Sequence, residues 1–68
     1  GVKAPMGGVL IRFTVEEGAE VAMGDQIALL EAMKTEVPVY AKAAGTIAET
    51  LIAEGERVAA GDTLLKFS

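Results

Sequence analysis

Apolar and polar positions alternate from Val9 to Val15, where Val9, Ile11, Phe13 and Val15 interleave with Leu10, Arg12 and Thr14. A period of two is the signature of a half-buried strand. The residue types agree, because Val, Ile, Thr and Phe favour extended backbone. A second stretch, Thr46 to Ile52, alternates less cleanly. Very short strands are expected around Val21 and Val58, and a further strand ends each half of the chain. With a short strand opening each half, about eight strands result, separated by glycine turns. Such a chain predicts an all-β fold, built as two small packed sheets or a flattened barrel.

The pattern repeats. A shift of 37 residues lays Val2 on Val39, Ala4 on Ala41 and Gly8 on Gly45. It lays Glu17-Gly18 on Glu54-Gly55, Val21-Ala22 on Val58-Ala59 and Gly24-Asp25 on Gly61-Asp62. Ile27 then meets Leu64, and Leu30 meets Phe67. Internal self-similarity of this kind marks a repeated structural unit. The aligned glycines carry most weight, since glycine tolerates positive φ at turns. Asp25 and Asp62 follow turn glycines at equivalent positions, which points to a structural role in the turn.

One segment runs against the repeat. Ile27-Ala-Leu-Leu-Glu-Ala-Met-Lys34 consists of strong helix formers. Its counterpart, Thr63 to Phe67, reads as a strand. Thr35-Glu36-Val37-Pro38-Val39-Tyr40 follows at once, and Pro38 is excluded from a helix interior. Symmetry therefore outweighs propensity. The segment is expected to be a strand, with Ala32 to Lys34 as the tip of a hairpin joining the halves.

Length and composition narrow the function. The 68 residues make one small domain, 1–68, with pseudo-repeats over about 1–31 and 38–68. Cysteine and histidine are both absent. Disulfides, Cys/His zinc sites and Cys-His or Ser-His nucleophile pairs are thereby excluded. Three aromatic residues and no Trp leave no platform for stacking bases. Six Lys and Arg stand against ten Asp and Glu, for a net charge of −4. An acidic surface disfavours nucleic acid and anionic membrane as partners. No apolar run approaches the ~20 residues that span a bilayer. The chain opens Gly1-Val2-Lys3 without Met or a visible leader, as a segment cut from something longer would. An intracellular location is expected, cytoplasmic with mitochondria as the alternative.

Among the cations Lys3, Arg12, Lys34, Lys42, Arg57 and Lys66, only Lys34 falls at the joint between the repeats. Its context, Glu31-Ala32-Met33-Lys34, resembles the Ala-Met-Lys signature of biotinyl domains. These are the carboxyl-carrier domains of biotin-dependent carboxylases and decarboxylases. The resemblance covers nearly the whole chain. Ala4-Pro5-Met6-Gly7-Gly8 looks like the family's Ala-Pro-Met-Pro-Gly opening, and Glu17-Gly18, Val21 and Gly24-Asp25 match its next turns. Ala41, Gly45 and Gly61-Asp62 match the second half. Three features depart from the pattern. Thr35 stands where a second Met is commonest, Gly7 stands where Pro is usual, and the protruding thumb of some bacterial carriers is missing.

The resemblance implies a flattened barrel of two four-stranded antiparallel sheets with quasi-two-fold symmetry, its acceptor lysine in the central hairpin turn. Lys34 would be covalently biotinylated. Met33, Ala32 and Glu31 would serve recognition by biotin protein ligase, with Glu36 as an auxiliary. The loaded arm would shuttle a carboxyl group between biotin carboxylase and a carboxyltransferase or decarboxylase. The domain itself would be no enzyme. The similar lipoyl domains, acyl carriers in oxo-acid dehydrogenase complexes, usually place Asp before their lysine, so Met33 favours biotin. A cofactor-free barrel adaptor would need no lysine at the tip.

Overall fold

The computed structural model describes residues 1–68. Eight strands form: β1 (Val2–Lys3), β2 (Gly8–Phe13), β3 (Glu20–Val21), β4 (Gln26–Ala32), β5 (Thr35–Tyr40), β6 (Gly45–Thr50), β7 (Arg57–Val58) and β8 (Thr63–Phe67). They build two four-stranded sheets in the orders β1-β8-β6-β3 and β5-β4-β2-β7. All six pairings are antiparallel. The shift of 37 turns β1 into β5, β2 into β6, β3 into β7 and β4 into β8. Applied to the first sheet order, it generates the second. Each sheet therefore draws strands from both halves, and the quasi-two-fold relation is built into the pairing.

The core obeys the same relation. Its 13 buried residues include the mates Val2/Val39, Ala4/Ala41, Leu10/Ile47, Val21/Val58, Ile27/Leu64 and Ala28/Leu65. The remaining member is Leu30, whose mate Phe67 packs against the cluster from a partly buried position. Two sheets with one apolar face each bury those faces against one another to make the core.

Turn hydrogen bonds repeat in pairs. Gly18, Gly24, Gly55 and Gly61 all hold φ between 84° and 93°. The Asp25 carboxylate accepts the Ala22 N–H at 2.9 Å, and the Asp62 carboxylate accepts the Ala59 N–H at 2.8 Å. The Ala4 N–H donates to the Asp62 carbonyl, and the Ala41 N–H to the Asp25 carbonyl, both at 2.8 Å. The two aspartates are thus turn clamps that also pin the opposite half.

Three expectations need correction. Gly8 and Gly45 do not sit at positive φ. A Cβ at Gly8 would strike the Glu31 carbonyl oxygen, and one at Gly45 would press on the Phe67 ring at 3.2 Å. Both glycines answer to close approach of a neighbour. The alternation in β2 puts Leu10 with the polar set, yet Leu10 is fully buried. A register shift between Leu10 and Arg12 against β4 changes the phase, so that Phe13 also packs against the core. The same irregularity recurs between Ile47 and Glu49, which explains the imperfect alternation of Thr46 to Ile52. Finally, Ala32 belongs to β4 and pairs with Thr35, so the hairpin tip is shorter than expected.

The segment Ile27 to Ala32 is a strand, against its helical propensity. β4 lies second in its sheet, bonded to β5 and β2, and Ile27, Ala28, Leu29 and Leu30 are all buried. Burial on that scale overrides helix propensities of a few tenths of a kcal/mol per residue. Pro38 lies in β5, the edge strand, where a missing N–H is tolerated.

Candidate functional site

The β4–β5 hairpin runs in unbroken register through Leu29–Pro38, Leu30–Val37, Glu31–Glu36 and Ala32–Thr35. Only Met33 and Lys34 are left to turn the chain. They adopt φ 51° and 65°, the only positive values outside glycine. A two-residue turn with both central φ positive matches the right-handed twist of the flanking strands. Its preferred residues are Asn, Asp and Gly. Met and Lys are poor choices, because left-handed backbone costs about 1–2 kcal/mol per residue with a Cβ. Nothing nearby repays that cost. Met33 is 96% exposed, and Lys34 is exposed as well.

A second unfavourable choice lies two pairs down from the turn. Glu31 and Glu36 face each other directly across the hairpin, and like charges so placed destabilise a strand pair. Between that pair and the turn, Ala32 is buried, anchoring the tip to the body. Local rules broken together in an otherwise consistent fold mark a place kept for function. The arrangement can present one primary amine to solvent, on a short rigid turn, with an apolar side chain beside it.

An open groove of about 640 Å³ runs beside the tip of the hairpin. It is bounded by Gly7–Val9, Glu31–Lys34 and Arg57–Ala60. The structure therefore brings Glu31, Ala32, Met33 and Lys34 to one edge of one groove, while Glu36 lies outside it. Sequence reasoning missed Val9, Arg57 and Ala59 here. Their nearness depends on β7 pairing with β2, the strand beside β4. The repeat located β7 but said nothing of its neighbour.

A family model described as biotin-requiring enzyme, the biotin/lipoyl family, matches residues 1–67. The chain belongs to the biotin/lipoyl family. Relatives agree with the match. The chain is 42% identical over 65 residues to a pyruvate carboxylase of Aspergillus niger, a match covering 96% of this chain and 6% of that protein. It is 37% identical over 67 residues to the biotin/lipoyl attachment protein of Bacillus subtilis, covering 98% of this chain and 92% of that one. Among solved structures, the urea carboxylase of Kluyveromyces lactis superposes with a TM-score of 0.92 at 30% identity, over 98% of this chain and 6% of that one. This chain thus spans a small fraction of the carboxylases it matches and nearly the full length of a small attachment protein. The barrel of two four-stranded sheets expected from the sequence is the family's fold, present here throughout.

Proposed function

We propose that the domain is a biotin carboxyl carrier and that Lys34 is its acceptor. The observation that carries this reading is the lysine at the apex of a strained two-residue turn, in a chain of the biotin/lipoyl family. Solvent surrounds the Lys34 side chain, so a ligase can enclose it. The ligase supplies the base that takes the amine proton, and Nζ attacks an activated biotinyl acyl group and forms an amide as the activating group departs. The residues present fit such a group. Met33 and Lys34 at the tip are both exposed. When bound, biotin supplies a ureido nitrogen that can carry a carboxyl group.

The chain's own contribution is presentation. A rigid hairpin offers one lysine in one orientation, whereas Lys3, Lys42 and Lys66 lie on the barrel. Partners that load and unload the arm, a biotin carboxylase and a carboxyltransferase or decarboxylase, would meet it transiently. Tethering raises local concentration without tight docking. A lipoyl carrier is the second reading, and Met33, where lipoyl domains usually have Asp, favours biotin. Incubation with ATP and either biotin with biotin ligase or lipoate with lipoate ligase tests both. Intact mass should show one biotinyl increment in the first tube, absent from Lys34→Ala, and none in the second. A lipoyl increment alone would move the chain to acyl transfer.

A further inference from the structure

The groove beside Lys34 has a composition that its shape alone does not convey. Val9 in β2 pairs with Glu31 in β4 on one side and with Arg57 in β7 on the other. Directly paired residues point to the same face of a sheet. Glu31, Val9 and Arg57 thus form a row on the outer face, since their chain neighbours Leu30, Leu10 and Val58 are buried in the core. Adjacent strands stand about 4.8 Å apart. The carboxylate and the guanidinium therefore flank one strand, with Val9 between them as an apolar floor. Neither charged side chain makes a hydrogen bond elsewhere.

Gly7 keeps the groove open. A Cβ placed there would lie 3.5 Å from the Val58 carbonyl oxygen and 4.0 Å from Ala59 Cα, which is ordinary contact. Neither backbone conformation nor crowding requires glycine at this position. A larger residue would narrow the space, and the opening motif of biotinyl domains usually has one, Pro.

We propose that this groove is a resting berth for the head of the arm on Lys34, a cyclic urea fused to an apolar thioether ring. The inference rests on the carrier reading above. The chemistry is complementary at each point. The Arg57 guanidinium donates to the urea oxygen, the Glu31 carboxylate accepts from a urea N–H, and Val9 with Ala59 covers the apolar ring. Hydrogen bonds to ionised partners are the stronger kind. A few placed polar groups around an apolar floor are what a small-molecule site needs. Lys34 lines the same groove, so the tether supplies the effective concentration of a short flexible link. Weak contacts then suffice to hold the head, and an open groove lets it leave for a partner's site.

The test is a comparison of the unloaded and fully loaded domain by two-dimensional NMR, with intact mass recording the loading. Loading should shift the amide signals of Val9, Arg57 and Ala59. Nuclear Overhauser contacts should join the thioether-ring protons to the Val9 methyls. In loaded Arg57→Ala and loaded Gly7→Leu those contacts should be lost. Shifts confined to Met33–Thr35 in the loaded wild-type domain, without ring contacts to Val9, would overturn the berth while leaving the carrier reading intact. Absence of a mass increment on the wild-type domain would instead overturn the carrier reading itself, and the berth with it.

Discussion

Met33 and Lys34 hold left-handed backbone without being glycine, and both side chains stand in solvent. Stability alone would choose Asn or Gly at either position. Met33→Asn should therefore raise the urea unfolding free energy by about 1 kcal/mol, while slowing biotin loading. A stabilised variant that loads at the wild-type rate would show that Met33 has no part in recognition. Lys34→Ala should abolish loading and leave stability within about 0.5 kcal/mol of wild type, because the side chain packs on nothing. The lysine's place at a hairpin tip was legible in the sequence because two independent signs met there: the joint of a repeat and a run that changes character. Its backbone strain was not legible, since nothing in Met or Lys announces a positive φ. Only the count of residues between paired strands, once register is known, forces it.

Strands β4 and β8 show where element-scale reasoning succeeds and where it stops. Propensity favoured a helix for Ile27 to Lys34, but the repeat assigned a strand, and the structure agrees. The phase of β2 was misread because a bulge is invisible in an alternating pattern. Adding one residue exchanges the faces of every position beyond it. Leu10, grouped with the polar set by alternation, is the inward residue that pairs with Leu30. Leu10→Ala should cost about 2–5 kcal/mol by denaturant unfolding, a large share of the stability of so small a domain. Had the alternation held, the cost would be a fraction of that. The turn clamps allow a symmetric check. Asp25→Ala and Asp62→Ala should each lose about 1 kcal/mol, and by similar amounts, because each carboxylate accepts one N–H three residues upstream at 2.8–2.9 Å. Unequal losses would mean that the two turns differ in more than sequence position.

The whole molecule is one interlaced unit. β1 and β3 of the first half pair only with β8 and β6 of the second, while β5 and β7 of the second pair with β4 and β2 of the first. Neither half can close a sheet of four strands by itself. Peptides 1–34 and 35–68 should each lack strand structure by circular dichroism when measured alone. This interlacing also explains why the groove residues escaped the sequence. The pattern located each strand, but only the pairing order sets Arg57 two strands away from Glu31 and one side of Lys34 above both. At this scale the barrel is a stand, and its product is a single lysine held out at one turn. Four lysines of the same chemistry, Lys3, Lys34, Lys42 and Lys66, compete for a ligase on this small surface. Peptide mapping after loading the wild-type domain with biotin ligase, biotin and ATP reads that competition directly. The account predicts one biotinyl group per chain, confined to the peptide that holds Lys34. Biotin distributed among the four lysines, or placed on another of them, would contradict it.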